Sequence, residues 1–289
     1  MSDLTASVVV PTRDRPAALA ACLAALAAQE QPPGDVVVVD DASADPAAVA
    51  AVVAAAPAGL PVRLVAGEGR GPAAARNLGA RAATGDVVCF TDDDCRPDPG
   101  WVAALVARIA AGADVVAGPT RVGRPDDRCA AAAQTITNHL LEASLDPAAG
   151  TVGFAPTCNL ACRAEVCRTR PFDEGYPLAA GEDRDWCRRL AADGTAIAYE
   201  PAAGVAHHPD LTLRGFWRQQ RRYGRGARRF RATAGVDASG GATERPPLGF
   251  YTGLVGKGFR QGPVVGALVL LAQVATAVGF AAEARATDG

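Results

Sequence analysis

Asp86-Val87-Val88-Cys89-Phe90-Thr91-Asp92-Asp93-Asp94 is the stretch on which the fold of this 289-residue chain turns. Its apolar run reads as a strand over 86–90, short and without polar alternation, as in a parallel sheet covered on both faces. It runs directly into three carboxylates. Upstream, a Val-rich strand over 6–10 ends at Pro11 and Thr12, and a strand over 36–39 ends on Asp40-Asp41. Between them, 15–29 carries Leu19, Cys22, Leu23 and Leu26 at helical spacing until Pro32-Pro33-Gly34 stops it. A helix over 46–56, a strand over 62–65, a glycine-rich loop over 67–71 and a helix over 73–83 complete a β-α-β-α-β series. Such a series implies a mainly parallel sheet with right-handed crossovers and flanking helices, an α/β, Rossmann-like fold. Ligands of open α/β sheets bind at the carboxyl ends of the strands, so Thr12, Asp41 and Asp92-Asp93-Asp94 are expected to share one crevice.

Downstream, 101–111 reads as helix and 114–118 as a short strand. The region 121–153 reads as loops with a helix near 130–142, and strands are expected around 196–199 and at Val205. Composition changes after Pro209, which divides a catalytic unit, 1–209, from a helical appendage, 210–289. Within the appendage, 235–249 reads as a Gly/Pro-containing loop and 262–282 lacks any charged residue.

About half the residues are apolar, and the net charge of -2 is close to neutral, so a sizeable core is expected and disorder is not. Eight scattered cysteines and a start, MSDLTASVVVPT, without a signal peptide fit a reducing, cytosolic compartment. Cys158, Cys162 and Cys167 lack the paired short spacings of a zinc site and read as packing thiols.

Three adjacent carboxylates at a strand end repel one another and lose hydration, which a hard divalent cation relieves. A solvated acidic turn is the plainer alternative, and the position directly after a strand favours the cation. Mn2+ or Mg2+ takes one or two carboxylates and completes its shell with water and substrate phosphates. Gly67-Glu68-Gly69-Arg70-Gly71-Pro72 leads into a helix carrying Arg76 and Asn77, a place where amides and a guanidinium meet phosphate oxygens. Its spacing is wrong for a dinucleotide fingerprint, and it follows the third strand rather than the first. Gly181-Glu182-Asp183-Arg184-Asp185-Trp186 opens a helical run, where acids are favoured by the helix dipole alone or as catalytic carboxylates. His207 and His208 are packing residues or nitrogen ligands to the same cation.

Taken together, Val8-Val9-Val10-Pro11-Thr12-Arg13-Asp14-Arg15-Pro16, Val38-Val39-Asp40-Asp41-Ala42-Ser43, Ala73-Ala74-Ala75-Arg76-Asn77-Leu78-Gly79, Asp92-Asp93-Asp94 and Gly181-Glu182-Asp183 resemble a family 2 glycosyltransferase of the GT-A fold. The resemblance covers 6–225. It implies an inverting, metal-dependent transfer of one sugar from a nucleotide-diphospho-sugar to a hydroxyl of a glycan or lipid-linked acceptor, in cell-envelope polysaccharide synthesis. By position, Pro11, Thr12 and Asp41 would line the nucleoside pocket, with Asp40 beside them and Asp41 accepting from the base. Asp92 and Asp94 match the ends of an Asp-x-Asp motif, Asp94 as direct ligand and Asp92 nearer the ribose or the metal's waters, with Asp93 at the variable position. Asp183 matches the general base, Glu182 would help to place the acceptor, and His207 matches a histidine that completes the metal site in some relatives. Arg13, Arg76 and Trp186 join the substrate-binding candidates. Arg221 and Arg222 do so through a likeness of 218–223 to the Gln-x-x-Arg-Trp segment of processive synthases, in which Tyr223 replaces the Trp. The chain lacks the many membrane spans of those synthases, so single transfer is expected.

From Arg214 to Arg231 the chain carries eight arginines and no acid, interleaved with aromatics. Anionic lipid headgroups or a phosphate-bearing acceptor suit this basic amphipathic helix better than nucleic acid. The uncharged 262–282 is long enough to span a bilayer but only moderately apolar, so membrane attachment at the cytoplasmic face competes with packing on the domain. Two other activities are weighed against glycosyl transfer. A sugar nucleotidyltransferase would carry a Gly-x-Gly-Thr-Arg loop after its first strand, where this chain has Pro11-Thr12-Arg13-Asp14. A non-catalytic, polysaccharide-binding or membrane protein of the same fold would have no use for intact Asp94 and Asp183.

Overall fold

The computed structural model describes residues 4–176, 180–234 and 246–287. Strands β1 (Ala6–Thr12), β2 (Asp35–Asp40), β3 (Val62–Ala66) and β4 (Val87–Phe90) alternate with helices α1 (Pro16–Ala27), α2 (Pro46–Ala54) and α3 (Pro72–Ala82). All three helices begin at a proline, whose fixed φ suits the first turn and whose missing N–H is not needed there. β1 lies between β2 and β4, parallel to both, with Val8 opposite Val36 and Val9 opposite Phe90.

The middle of the chain comprises β5 (Cys95–Pro97), α4 (Trp101–Ala110), β6 (Val115–Ala117), β7 (Thr120–Val122), α5 (Arg128–Ala143), β8 (Leu145–Asp146) and β9 (Thr151–Val152). After a 3-10 turn come β10 (Leu160–Arg163), α6 (Ala164–Thr169), α7 (Glu182–Ala192), β11 (Ile197–Tyr199) and β12 (Val205–His207). The main sheet has the order β3-β2-β1-β4-β10-β6-β11-β9-β8, and a small second sheet has the order β5-β12-β7.

Alternate residues of the central strands feed two cores. Val8, Val10, Val36, Val38 and Cys89 meet α1 and α4 through Leu19, Leu23, Leu26, Trp101 and Leu105. Val9, Val37, Val39, Val88 and Phe90 meet α3, α6 and α7 through Ala73, Ala80, Val166, Trp186 and Leu190. Burial on both faces is why these strands read as continuous apolar runs.

The parallel expectation holds across β3-β2-β1-β4 and between β6 and β11. β10, however, enters antiparallel between β4 and β6, so the sheet is mixed on that side. Leu160-Ala161-Cys162 is too short and too uniformly apolar to announce a direction. All eight cysteines are free and seven are buried, in keeping with their reading as packing residues.

Helices α8 (Leu213–Ala234), α9 (Leu248–Arg260) and α10 (Pro263–Thr287) form the appendage. A third core joins Phe216, Leu254, Val265, Leu268 and Val269 to Ala131, Ala132 and Ala133 of α5. The appendage is thus seated on a helix of the segment that composition assigned to the catalytic unit. Of the loop expected over 235–249, residues 235–245 lie outside those described, and Leu248 already opens α9. α8 and α10 cross closely: a Cβ on Gly224 would meet the Thr276 carbonyl, and one on Gly279 would meet the Arg221 carbonyl.

Candidate active site

The loops after β1, β2 and β4 meet at one end of the sheet. Asp41 N–H donates to the Thr12 carbonyl (2.9 Å), and the Asp41 carboxylate accepts from Gly71 N–H (2.9 Å), which ties the β2 loop to the glycine-rich loop. Asp40 accepts from Ser43 N–H (3.0 Å). Asp14 and Ala42 hold φ values of 57° and 58° in these loops, in the left-handed region that non-glycine residues adopt only when the surroundings impose it. Such strain concentrates where loops are shaped for ligands.

The triplet after β4 divides three ways. Asp93 is fully buried, accepts from the Thr12 hydroxyl (2.7 Å) and pairs with Arg15 (2.7 Å). Burial pushes its carboxyl up to about 7 despite Arg15, and Asp94 and Asp92 add to the rise. Asp94 pairs with Arg15 on one oxygen (2.7 Å) and faces His207 Nε2 on the other (3.4 Å). Burial opposes its charge, but His207 and Arg15 outweigh burial and hold the carboxyl well below the usual range. Asp92 accepts from Arg76 (2.9 Å).

The second sheet delivers the histidine. β12 runs antiparallel to β5, which starts immediately after Asp94, and the register puts His207 opposite Cys95. His208 N–H then donates to the Asp94 carbonyl (2.7 Å), while the His208 ring packs over Gly123. His207 Nδ1 meets the Gln134 side-chain oxygen (3.1 Å), leaving Nε2 toward Asp94. Burial disfavours the imidazolium, yet Asp94 raises His207 to about 9. The structure therefore separates the two histidines, and His207 is the one at the carboxylate.

Asp94, Cys95 and His207 lie close enough for one ion. Cys95 is fully buried against Cys158, which with burial raises its thiol well above the ordinary value, and a soft sulfur ligand does not suit a hard cation. The remaining oxygen and nitrogen donors fit Mn2+ or Mg2+. Asp92, bound by Arg76, stands outside this group.

The third part comes from α7. Gly181, at φ 98°, turns the chain so that Glu182 and Asp183 open the helix. Buried Arg76 forks between two distant elements, giving Nη2 to Asp92 and Nη1 to Glu182 (3.1 Å). Burial and the neighbouring Asp183 raise Glu182 to about 7, and its second carboxylate oxygen is buried without a partner. Asp183 is also raised by burial, although it accepts from Arg184 N–H (2.8 Å).

One cavity of about 1050 Å³ is lined by Arg13, Arg76, Asp92, Asp94, Glu182, Asp183, His207 and Arg222. Asp94 and Asp183, which the sequence places 89 positions apart, share it. Pro11, Thr12, Asp40, Asp41 and Asp93, expected at the substrate, are not among the residues that line it, and the last four are engaged in the loop contacts above. Trp186 is not brought to the cleft: it is fully buried, stacks on Phe172 (4.9 Å) and donates to the Arg170 carbonyl (2.6 Å), because the first turn of α7 turns it into the core. Arg221 is exposed on α8 and does not line the cavity, whereas Arg222 does. The sequence reading passed over Arg15, Gln134 and Arg184. Arg15 sat within a quoted motif, but only the fold shows that it reaches the triplet.

An open sheet with an acidic crevice at its strand ends, beside a carboxylate and a histidine close enough for one ion, is the arrangement in which α/β folds bind phosphate-bearing ligands. The chain belongs to glycosyl transferase family 2, whose sequence pattern matches residues 7–169. It is 34% identical over 184 residues to a pre-mycofactocin glycosyltransferase of Mycobacterium tuberculosis, a match covering 60% of this chain and 38% of that one. With glycosyltransferase AglE of Haloferax volcanii it shares 28% identity over 166 residues, 56% of this chain and 52% of that one. The match thus spans well under two thirds of either relative. Among solved structures, the mannosyltransferase PcManGT of Pyrobaculum calidifontis, in complex with GDP-Man and Mn2+, superimposes with a TM-score of 0.63 at 23% identity, covering 99% of this chain and 76% of that one. Glucosyl-3-phosphoglycerate synthase of M. tuberculosis, bound to Mn2+, UDP-Glc and phosphoglyceric acid, gives 0.58 at 21% identity and 82% of each chain. These likenesses establish the GT-A fold.

Proposed function

We propose that the chain is an inverting glycosyltransferase that moves one sugar from a nucleotide-diphospho-sugar to an acceptor hydroxyl with the help of Mn2+ or Mg2+. The observation that carries this reading is the single cavity holding Asp94 with His207 at one side and Glu182 with Asp183 at the other. The Mn2+ and nucleotide-sugar in the two solved neighbours support it.

Asp94 and His207 would hold the metal, which when bound supplies positive charge to the departing diphosphate. Arg13 and Arg15, half-exposed beside them, are placed for phosphate oxygens. Asp183 takes the proton of the acceptor hydroxyl, and the oxygen forms its bond to the anomeric carbon as the bond to the diphosphate breaks. Glu182, which the Arg76 fork fixes relative to Asp92, lines the cleft next to Asp183 and would help to place the acceptor.

The proposal extends to a membrane surface at the cytoplasmic side. Pro263–Ala286 is long and apolar enough to cross a bilayer by length and composition, with a mean hydropathy of 2.2 in an 18-residue window. One of its faces packs on α8, and Glu283 is held there by Arg225 and Arg229 (2.6 and 2.5 Å), which favours lying on a surface over spanning it. Val264, Leu270, Val274 and Val278 remain exposed on the other face.

The test is incubation with Mn2+ and a panel of nucleotide-sugars while nucleoside diphosphate release is followed with and without acceptors. Release of nucleoside diphosphate that Asp183→Asn abolishes, with donor binding retained, is the expected result. Release of pyrophosphate instead, or binding without turnover, would sink the assignment.

A further inference from the structure

The cavity does not end at the carboxylates. It continues between α5, α8, α9 and α10, where Ile136, Leu140, Phe230, Phe250, Leu254 and Phe280 form its wall. These apolar side chains face the void beside Asp183, and the appendage supplies four of the six. A volume of about 1050 Å³ exceeds what a nucleotide-sugar alone needs, so the apolar arm is room for a second molecule.

Charge divides the cavity in the same way. On the sheet side the two central arginines are paired, Arg15 with Asp93 and Asp94, Arg76 with Asp92 and Glu182. On the apolar side Arg184, Arg222 and Arg231 line the cavity, and none of them is in a salt bridge among the described residues. Arg184 lies over the Phe230 ring (4.9 Å) and Arg231 over the Phe280 ring (5.1 Å), so aromatic faces hold both guanidinium groups at the void. Burial, with Arg231 as a nearby like charge, lowers Arg184 from its ordinary value even though Asp183 is adjacent. Three like charges, of which only Arg184 has a carboxylate beside it, gather in a partly apolar cavity and are relieved by an anion.

We infer that the acceptor is an anionic amphiphile: a hydroxyl-bearing molecule whose carboxylate or phosphate pairs with Arg184 and Arg231 and whose aliphatic or aromatic body lies along Phe230, Phe250, Leu254 and Phe280. A bare sugar offers this wall neither the charge nor the apolar surface. The inference rests on the cleft being a glycosyl-transfer site, since the hydroxyl must reach Asp183. The amphiphile is a membrane lipid or a soluble aromatic acid, which share this chemistry and differ in chain length.

Calorimetry on the full chain tests it, first with Mn2+ and nucleotide-sugar, then with acceptor probes. The probes are an ω-hydroxy long-chain fatty acid, 4-(hydroxymethyl)benzoate, their uncharged methyl esters, and glycerate as the charged hydroxy acid without an apolar body. The expected result is that one of the two amphiphilic acids binds roughly tenfold or more tightly than both its ester and glycerate, the weight of one charge-assisted contact. Preference for the long chain assigns a lipid source, and preference for the aromatic acid a soluble one. Arg231→Gln and Arg184→Gln should remove the preference over the ester while the nucleotide-sugar binds as before. Equal binding of acid and ester, or tighter binding of glycerate, overturns the inference and leaves glycosyl transfer standing if the donor still binds. Failure of the donor to bind would instead remove the reading beneath it.

Discussion

Arg76→Met is the most discriminating single change in this fold. The side chain is buried and gives one Nη to Asp92 on the loop after β4 and the other to Glu182 at the start of α7. Asp92 is partly exposed and can turn to water, but Glu182 is 4% exposed and would be left as a buried, unpartnered carboxylate. Removing one partner of a buried ion pair costs about 3–5 kcal/mol, which at about 2–4 °C per kcal/mol lowers Tm by about 6–20 °C for a chain of this size. The penalty is carried by an ionised Glu182, whose carboxyl already sits near 7 with Arg76 in place and would rise further without it. The loss should therefore be largest at about pH 8 and shrink at about pH 5.5, where Glu182 takes up a proton in the folded state. Adding Glu182→Gln should recover more than half of the loss, because the neutral amide no longer needs a counter-charge. Circular dichroism melts of the wild type, Arg76→Met and the double variant at both pH values supply the comparison. A destabilisation below about 1 kcal/mol, or a double variant no more stable than the single one, would show that the fork is not what neutralises Glu182.

Four further outcomes follow from the same geometry. Asp94→Ala should weaken Mn2+ binding at least tenfold, whereas Arg15→Ala should tighten it by freeing both Asp93 and Asp94, with manganese electron paramagnetic resonance reading both. A matching decrease in the two variants would refute the competition between Arg15 and the ion. Gly224→Ala drives a methyl group into the Thr276 carbonyl and should cost about 1–3 kcal/mol or detach α10 from α8, seen as faster amide exchange along both helices. In the wild type, Glu182 titrates at about 7 when folded against 4.5 ordinarily, so the folded state keeps a proton that the unfolded chain has released. Its contribution to stability is full below about 4.5 and is lost as pH rises through about 7, a slope that Glu182→Gln should remove from urea-midpoint profiles.

The strand ends were legible because each of the first, second and fourth strands is a run of apolar residues stopped by a polar one, a local pattern that the parallel sheet requires. The helix starts were legible for a similar reason, with Pro16, Pro46 and Pro72 each standing at a first turn. What the sequence hid is long-range register. Nothing near His207 says that it will lie opposite Cys95, and nothing near Arg76 says that its fork will close on a glutamate 106 positions away. β10 escaped notice because three apolar residues carry no direction, yet it enters antiparallel between β4 and β6. Trp186 misled because it follows Glu182 by four positions and Asp183 by three, which puts all three on one side of α7. One turn further along that side lies the core, where the Trp186 ring stacks on Phe172 and donates to the Arg170 carbonyl.

The two halves of the cavity have opposite unmet needs. On the sheet side, five carboxylates, Asp92, Asp93, Asp94, Glu182 and Asp183, face Arg15, Arg76 and His207, and the strain shows in the upward shifts of Asp93, Glu182 and Asp183. On the other side, Arg184 of α7 and Arg222 and Arg231 of α8 line the cavity outside any salt bridge among the described residues, with Arg184 over the Phe230 ring and Arg231 over the Phe280 ring. Arg222 and Arg231 ride on α8, which packs in the core that the appendage forms with α5, apart from the core under α7 that carries Glu182 and Asp183. A cation with a sugar donor on the first side and an anionic acceptor on the second would satisfy both at once. Asp183, next to Arg184 in the chain and beside Glu182 in the cleft, is the group that stands on the boundary between them.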